Sequence, residues 1–179
     1  FIMVINGFQK LTLLDYPGRV ACTIFTAGCN MRCPFCHNAS LVTHIDNDNT
    51  FSTEEVLSYL EKRQGILEGV CITGGEPTLR GDICELIDYA KWFITRLNTN
   101  GVLMTKELAS KLKSASLDSV QVTLYSHNEE IHNSLVGSEH YADTIQGIRN
   151  AVAAGLDISI NTPLCQKNAD YEKTLSFIH

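Results

Sequence analysis

Three cysteines stand close together in Cys29-Asn-Met-Arg-Cys33-Pro-Phe-Cys36, a C-x3-C-x2-C arrangement. Thiolates are soft ligands, and three on one short loop can wrap one face of a cubane iron–sulfur cluster, each binding a separate iron. The fourth iron then lacks a protein thiolate and stays open to a substrate. Two other readings use the same residues. A zinc site wants four ligands in a closed tetrahedron. His37 is the one nearby candidate, but it adjoins Cys36, and no second C-x2-C pair lies downstream. A closed electron-transfer centre needs four cysteines per cluster. The ligand count favours the open cluster.

Several other residues carry polar or conformational signals. Gly74-Gly75-Glu76-Pro77 offers two glycines, which permit close backbone approach and angles closed to other residues; its plain alternative is a turn. Asn98-Thr99-Asn100-Gly101 is first a turn signal, yet Asn98 and Asn100 are also candidate ligands. Thr123, Ser126 and Asn161 are similar candidates, each equally readable as a satisfied loop residue. Side chains alternate along a strand, so only one of any adjacent pair can face a cleft. Cys22, Cys71 and Cys84 read as core residues, whereas Cys165 follows Pro163 near the proposed cleft. His127, His132 and His140 fall in a polar stretch and read as solvated surface, with one of them a candidate for the substrate side.

The elements that must position these residues alternate in type. Residues 20–26, 70–73, 94–98, 119–125 and 156–162 are apolar or alternating and predict strands. After the polar stretch 44–50, Ser52-x-x-Glu55 makes a capping box and opens a helix carrying Val56, Leu57 and Leu60. Further helices are predicted from Asp82, as cap, to about Phe93; over 106–114; over 141–154, with Ile145, Ile148 and Val152 inward; and over 170–179. Gly155 sits where a helix end wants a left-handed residue. Between 92 and 95 a helix and a strand meet with no turn residues, which suggests that a few residues are missing there. Five strands alternating with helices imply an α/β fold with parallel pairing and right-handed crossovers. Ligands bind beyond the carboxyl ends of such strands, and the cysteine loop, Gly74-Gly75, residues 98–101, residues 123–126 and Asn161 all fall at those ends.

Composition narrows the field. A 179-residue chain with 44% hydrophobic residues can bury a core as one domain. The net charge of −6 argues against a nucleic-acid partner. No apolar run approaches a membrane span, and the N-terminus lacks a signal-peptide pattern, so the expectation is a cytoplasmic protein. Seven cysteines, three of them clustered, do not suggest a disulfide framework.

C-x3-C-x-aromatic-C in a loop after the first strand resembles the signature of the radical S-adenosylmethionine (SAM) superfamily. The resemblance implies a partial (β/α) barrel with outer helices, incomplete at its C-terminus, as one core domain over residues 1–179. It implies a [4Fe–4S] cluster on Cys29, Cys33 and Cys36. It also implies reductive cleavage of SAM to methionine and a 5′-deoxyadenosyl radical that takes hydrogen from a substrate. Phe35 would lie against the adenine. Gly74, Gly75 and Glu76 match the family's GGE element, and Asn98, Asn100, Thr123, Ser126 and Asn161 would meet the rest of SAM. The first ~80 residues, particularly residues 7–38, GFQKLTLLDYPGRVACTIFTAGCNMRCPFCHN, resemble the activating proteins of anaerobic ribonucleotide reductase and related glycyl-radical enzymes. Residues 122–137, VTLYSHNEEIHNSLVG, depart from those activases and look more like enzymes modifying peptides, RNA or small molecules. The implied partners are a reductant such as flavodoxin or ferredoxin, and either a glycyl-radical enzyme or another substrate.

Overall fold

The computed structural model describes residues 4–45, 48 and 50–178. Part of the polar stretch 44–50, and the last residue of the final helical pattern, lie outside the described residues. The strands are β1 (Val4–Ile5), β2 (Gly7–Thr12), β3 (Ala21–Thr26), β4 (Phe51–Ser52), β5 (Gly69–Gly74), β6 (Ile94–Thr99), β7 (Ser119–Thr123) and β8 (Asp157–Asn161). The helices are α1 (Thr53–Glu61), α2 (Ile83–Tyr89), α3 (Lys106–Ser114), α4 (Glu129–Val136), α5 (Tyr141–Ala153) and α6 (Tyr171–Ile178). One sheet runs in the order β2-β3-β5-β6-β7-β8. All its pairings are parallel except β2 with β3, while β1 and β4 form a small antiparallel pair.

The five predicted strands and their parallel pairing are all present. Each strand's outer face is apolar and packs on helices: Cys22, Ile24, Val70, Ile72, Leu97, Val120 and Val122 join Val56, Leu60, Ile83, Ile87 and Leu112 in one core. Residues at alternate positions point to the concave inner face and are mostly polar, among them Thr23, Arg96, Asn98, Gln121 and Thr123. Barrel interiors are ordinarily packed with branched apolar side chains. Here the inside is a polar trough.

Local chemistry explains most boundaries. The capping box of α1 forms: the Ser52 hydroxyl accepts from Glu55 N at 3.1 Å, and the Glu55 carboxylate accepts from Ser52 N at 2.8 Å. Gly155 is left-handed, φ 73°. Two expectations about the second helix need correcting. Asp82 does not cap α2 with its side chain but pairs with Arg80 at 2.7 Å. The helix also stops at Tyr89, because Ala90–Phe93 is a reverse turn in which Phe93 N donates to Ala90 O at 2.9 Å. That turn delivers Ile94 straight into β6, where its N–H donates to Glu68 O at 2.9 Å.

The inward face of α5 is also not the expected one. Ile145 and Ile148 are half-buried and Val152 is exposed, while Thr144, Gly147, Asn150 and Ala151 are buried. The Thr144 hydroxyl donates to Asn100 O at 3.0 Å, and Asn150 Nδ2 donates to Met104 O at 2.8 Å. Orphaned loop carbonyls after β6 thus roll the helix onto its small, polar face. Gly147 makes this possible, since a Cβ there would collide with Gly101 O. Gly147→Ala is therefore expected to cost about 1–3 kcal/mol, the usual penalty of overpacking, measured by denaturant unfolding. Unchanged stability would show that α5 is not seated on that loop.

Candidate active site at the strand ends

A cavity of about 260 Å³ opens at the carboxyl ends of β5 to β8. Cys29, Cys33, Phe35 and Cys36 form one wall, and Gly74, Gly75, Glu76, Asn98, Asn100, Thr123 and Asn161 form the rest. The exception among the predicted residues is Ser126. It is buried away from the cavity, where its hydroxyl accepts from Asn128 N at 3.0 Å. Its neighbour Tyr125 faces the cavity instead, as strand alternation permits for only one of the two. Cys165 is exposed and outside the lining. Gln121, Asn38 and Met31 also line the cavity and escaped sequence reading, as do His37, weighed above only as a zinc ligand, and Pro163. Gln121 was legible in principle, since it shares a face with Thr123 within one strand.

The cysteine loop is held at several points. Gly28 N donates to Leu41 O at 2.8 Å, Cys36 N to Cys33 O at 3.1 Å, and Arg32 N to Val136 O at 2.9 Å. Met31 packs with Tyr125, Leu135 and Val136 in a second, smaller core beneath the loop. Gly137 closes α4 in a left-handed conformation and passes so near Arg32 that a Cβ would lie 2.6 Å from its carbonyl oxygen. Sequence reading treated α4 as a polar loop, although its cap Asn128, acidic first turn Glu129-Glu130 and terminal Gly137 are all helix signals. Hydrophobic periodicity is short there, and that hid it.

Burial pushes the Cys33 thiol up to about 11, with the neighbouring Cys29 and Cys36 adding to the effect. Cys29 is raised too, mainly by burial and then by Glu76 and Cys36, against an opposing hydrogen bond from Met31 N. Such thiols ionise when a metal offsets the cost. Among the described residues, no three His, Cys, Asp or Glu side chains converge as ligands of a single ion do. The donor set fits an iron–sulfur cluster.

The rest of the cavity fits a polar ligand beside it. Asn98 Nδ2 lies 3.5 Å from Cys71 Sγ, and Asn98 Oδ1 is buried with no hydrogen-bond partner. Gly74 has φ 118°, a conformation L side chains rarely adopt. The close approach at Gly75 is to protein, not open space: a Cβ there would strike Gly28 O of the cysteine loop. The Gly75 and Glu76 amides are already used, donating to Thr26 O at 2.8 Å and Gly28 O at 2.6 Å. Glu76 is fully buried. Its Oε1 accepts from Thr78 N at 3.0 Å, Thr78 Oγ1 at 2.6 Å and Thr99 Oγ1 at 2.7 Å, and its Oε2 from Asn100 N at 2.7 Å. The carboxylate is thus occupied in joining strand ends.

An aromatic row backs the cysteine wall. Phe35 meets Tyr125 edge-on at 5.4 Å between centroids, Tyr125 meets His132 at 6.1 Å, and His132 meets Tyr141 at 5.6 Å. His132 is fully buried, against the expectation of a solvated residue, and its Nδ1 accepts from Tyr125 N at 3.3 Å. The other histidines pair locally, His127 with Thr174 and His140 with Asp143.

Comparison with known proteins places this geometry. The sequence profile of the Radical SAM superfamily matches residues 23–178. The chain is 34% identical over 165 residues to a GTP 3′,8-cyclase of Aliarcobacter butzleri, covering 89% of this chain and 49% of that protein. It is 36% identical over 138 residues to a probable GTP 3′,8-cyclase of Thermococcus kodakarensis, covering 76% and 44%. The chain therefore spans about half the length of these relatives. Among solved structures, Streptococcus suis SuiB superimposes with TM-score 0.70 at 19% identity, over 87% of this chain and 35% of that one. The AdoMet-bound anSMEcpe superimposes with TM-score 0.65 at 20% identity, over 85% and 47%. Both likenesses bear on the fold.

Two outcomes follow from the geometry. Gly75→Ala should lower iron content after anaerobic reconstitution as well as SAM affinity, because the methyl displaces Gly28 and the loop behind it; full iron loading would refute the backbone contact. His132 has its pKa lowered to about 4 by burial. The unfolded chain takes up this proton near pH 6.5 and the folded chain only near 4, so falling pH favours unfolding across that window. The loss should be on the order of 2–3 kcal/mol and absent in His132→Phe, as read from unfolding free energies at pH 7 and pH 4.5.

Proposed function

We infer the reaction from the premise that this chain belongs to the radical SAM superfamily, whose enzymes use a [4Fe–4S] cluster and SAM as cofactors. In this chain Cys29, Cys33 and Cys36 hold the cluster, and Asn98, Asn100, Thr123 and Asn161 with the Gly74–Gly75 backbone hold SAM. The observation that carries this assignment is that all these residues line one cavity at the strand ends. Bound together, the cofactors supply a one-electron cleavage of SAM to methionine and a 5′-deoxyadenosyl radical. The protein's part is to place and to shield. Phe35 and Tyr125 give the cavity an aromatic wall that keeps water from a radical and offers a face to the adenine. The electron comes from a small reductant protein such as a flavodoxin or ferredoxin.

The substrate is read as a small molecule. The named relatives are cyclases whose names specify GTP, a small molecule. The half-exposed polar trough below the cavity suits a small polar molecule. The glycyl-radical activase suggested by residues 7–38 has no such support, and the tailoring reading drawn from the second half is the one retained. Residues 1–179 are read as the core domain of a longer enzyme, in keeping with the share of the relatives they span.

Cluster-replete protein given dithionite and SAM without oxygen should release 5′-deoxyadenosine and methionine in equal amounts. The Cys29→Ala, Cys33→Ala and Cys36→Ala variants should each lose the activity at least ~1000-fold, since radical formation has no alternative electron source in the site. Product formation by any of the three would overturn the ligand assignment.

A further inference from the structure

Five buried side-chain polar atoms lack hydrogen-bond partners among the described residues, and three of them belong to the inner face of the sheet: Arg96 Nε, Asn98 Oδ1 and Ser159 Oγ. Buried polar atoms are normally satisfied, so three orphans on one concave surface mark where a polar molecule belongs. Register places them in layers. Asn98, Gln121 and Ser159 are aligned across β6, β7 and β8, and Arg96 lies one inward layer lower on β6. Asn98 and Gln121 line the cavity, and Arg96 Nη1 donates to Gln121 Oε1 at 3.3 Å, so the cation sits directly under the cavity floor.

Arg96 is poised rather than paired. Its guanidinium carbon lies over the Tyr16 ring, 4.6 Å from the centroid, and its Nε–H has no hydrogen-bond partner among the described residues. Among the described residues no carboxylate comes within ion-pair distance of it. Asp15 is the nearest acidic group implicated, since it and Arg96 both act on Cys71, but its carboxylate is bound by the Thr23 hydroxyl at 2.6 Å. Asp157 is exposed at the far end of the same layer. A planar guanidinium whose Nε–H lacks a partner matches an oxyanion, phosphate or carboxylate, better than a neutral group.

Resting on the small-molecule reading above, we propose that Arg96, with Gln121 and Ser159, forms an oxyanion-binding floor to the substrate trough. The substrate is a small molecule carrying a phosphate or carboxylate, held by that end while its other end faces the cofactors.

The test is binding, not turnover. In oxidised, cluster-replete protein with SAM bound, the Nε–Hε resonance of Arg96, assigned through Arg96→Lys, should shift saturably with inorganic phosphate or with malonate. The dissociation constant should be about 1 mM or tighter for one of them. Sodium chloride at matched ionic strength should have no such effect, and the stronger of the two anions identifies the group. Ser159→Ala is the second arm. Its hydroxyl has no protein partner, so the fold should keep its stability while anion affinity falls several-fold. Absence of saturable shifts with both anions, or unchanged affinity in Ser159→Ala, would overturn the proposal. 5′-Deoxyadenosine release reports separately on the radical reaction, so a failed anion site and a failed SAM reading give different results.

Discussion

A carboxylate taken fully out of water must be met by hydrogen-bond donors, and Glu76 is met by four hydrogen bonds with no cation among them. The donors come from two places, the short 3-10 turn after β5 and the end of β6, Thr99 with Asn100 just beyond it. Each charge-assisted bond contributes about 1.5–3 kcal/mol, so the carboxylate fixes the relative height of two adjacent strand ends. Everything at the cavity inherits that height. Asn100, whose N–H donates to Glu76, uses its own Nδ2 to reach Asn30 Oδ1 of the cysteine loop at 2.6 Å. One buried anion thus sets the spacing between the glycine pair and the thiols.

Steric contacts complete what the anion begins. Gly75 lies against Gly28, Gly137 against Arg32, and Gly147 against Gly101, each through a carbonyl that a Cβ would strike. Directed hydrogen bonds alone leave a loop of eight residues with room to rock. Backbone-to-backbone contact at van der Waals distance removes it, and a packed interior transmits the restriction. The cost falls on residues far from the cavity in sequence. Cys29 and Cys33 pack against the small core that includes Leu135 and Val136 of α4, and the end of that helix and the middle of α5 decide where the cavity walls stand.

This division explains what the sequence disclosed. Strand positions were legible because apolar outer faces and polar strand ends repeat at each unit, and the cysteine spacing carries its own chemistry. Cavity membership was legible wherever a residue type and a strand end coincided, as at Asn98, Asn100, Thr123 and Asn161. It failed at Ser126 because facing depends on the exact register, which a hydroxyl-rich segment does not announce. Tyr125 and His132 were missed for the opposite reason: aromatic and imidazole groups near a helix start look like surface until the partner rows are known. α5 misled because its large apolar residues suggested an inward face, whereas unsatisfied carbonyls on the Asn100–Met104 loop outweighed them.

The polarity of the sheet is the last consequence. A sheet with helices on its outer face has already spent its apolar residues on that side, as the single large core shows. Its inner face is then free to carry Thr, Asn, Gln and Arg without loss of the core that holds the strands. A closed barrel would have to satisfy those groups internally or fill the space with branched side chains. A trough open at the β2 and β8 edges leaves them half-exposed, so their hydrogen-bonding capacity is kept for whatever enters. Stability resides on the convex side and recognition on the concave one, which is why a substitution such as Ser159→Ala can separate the two.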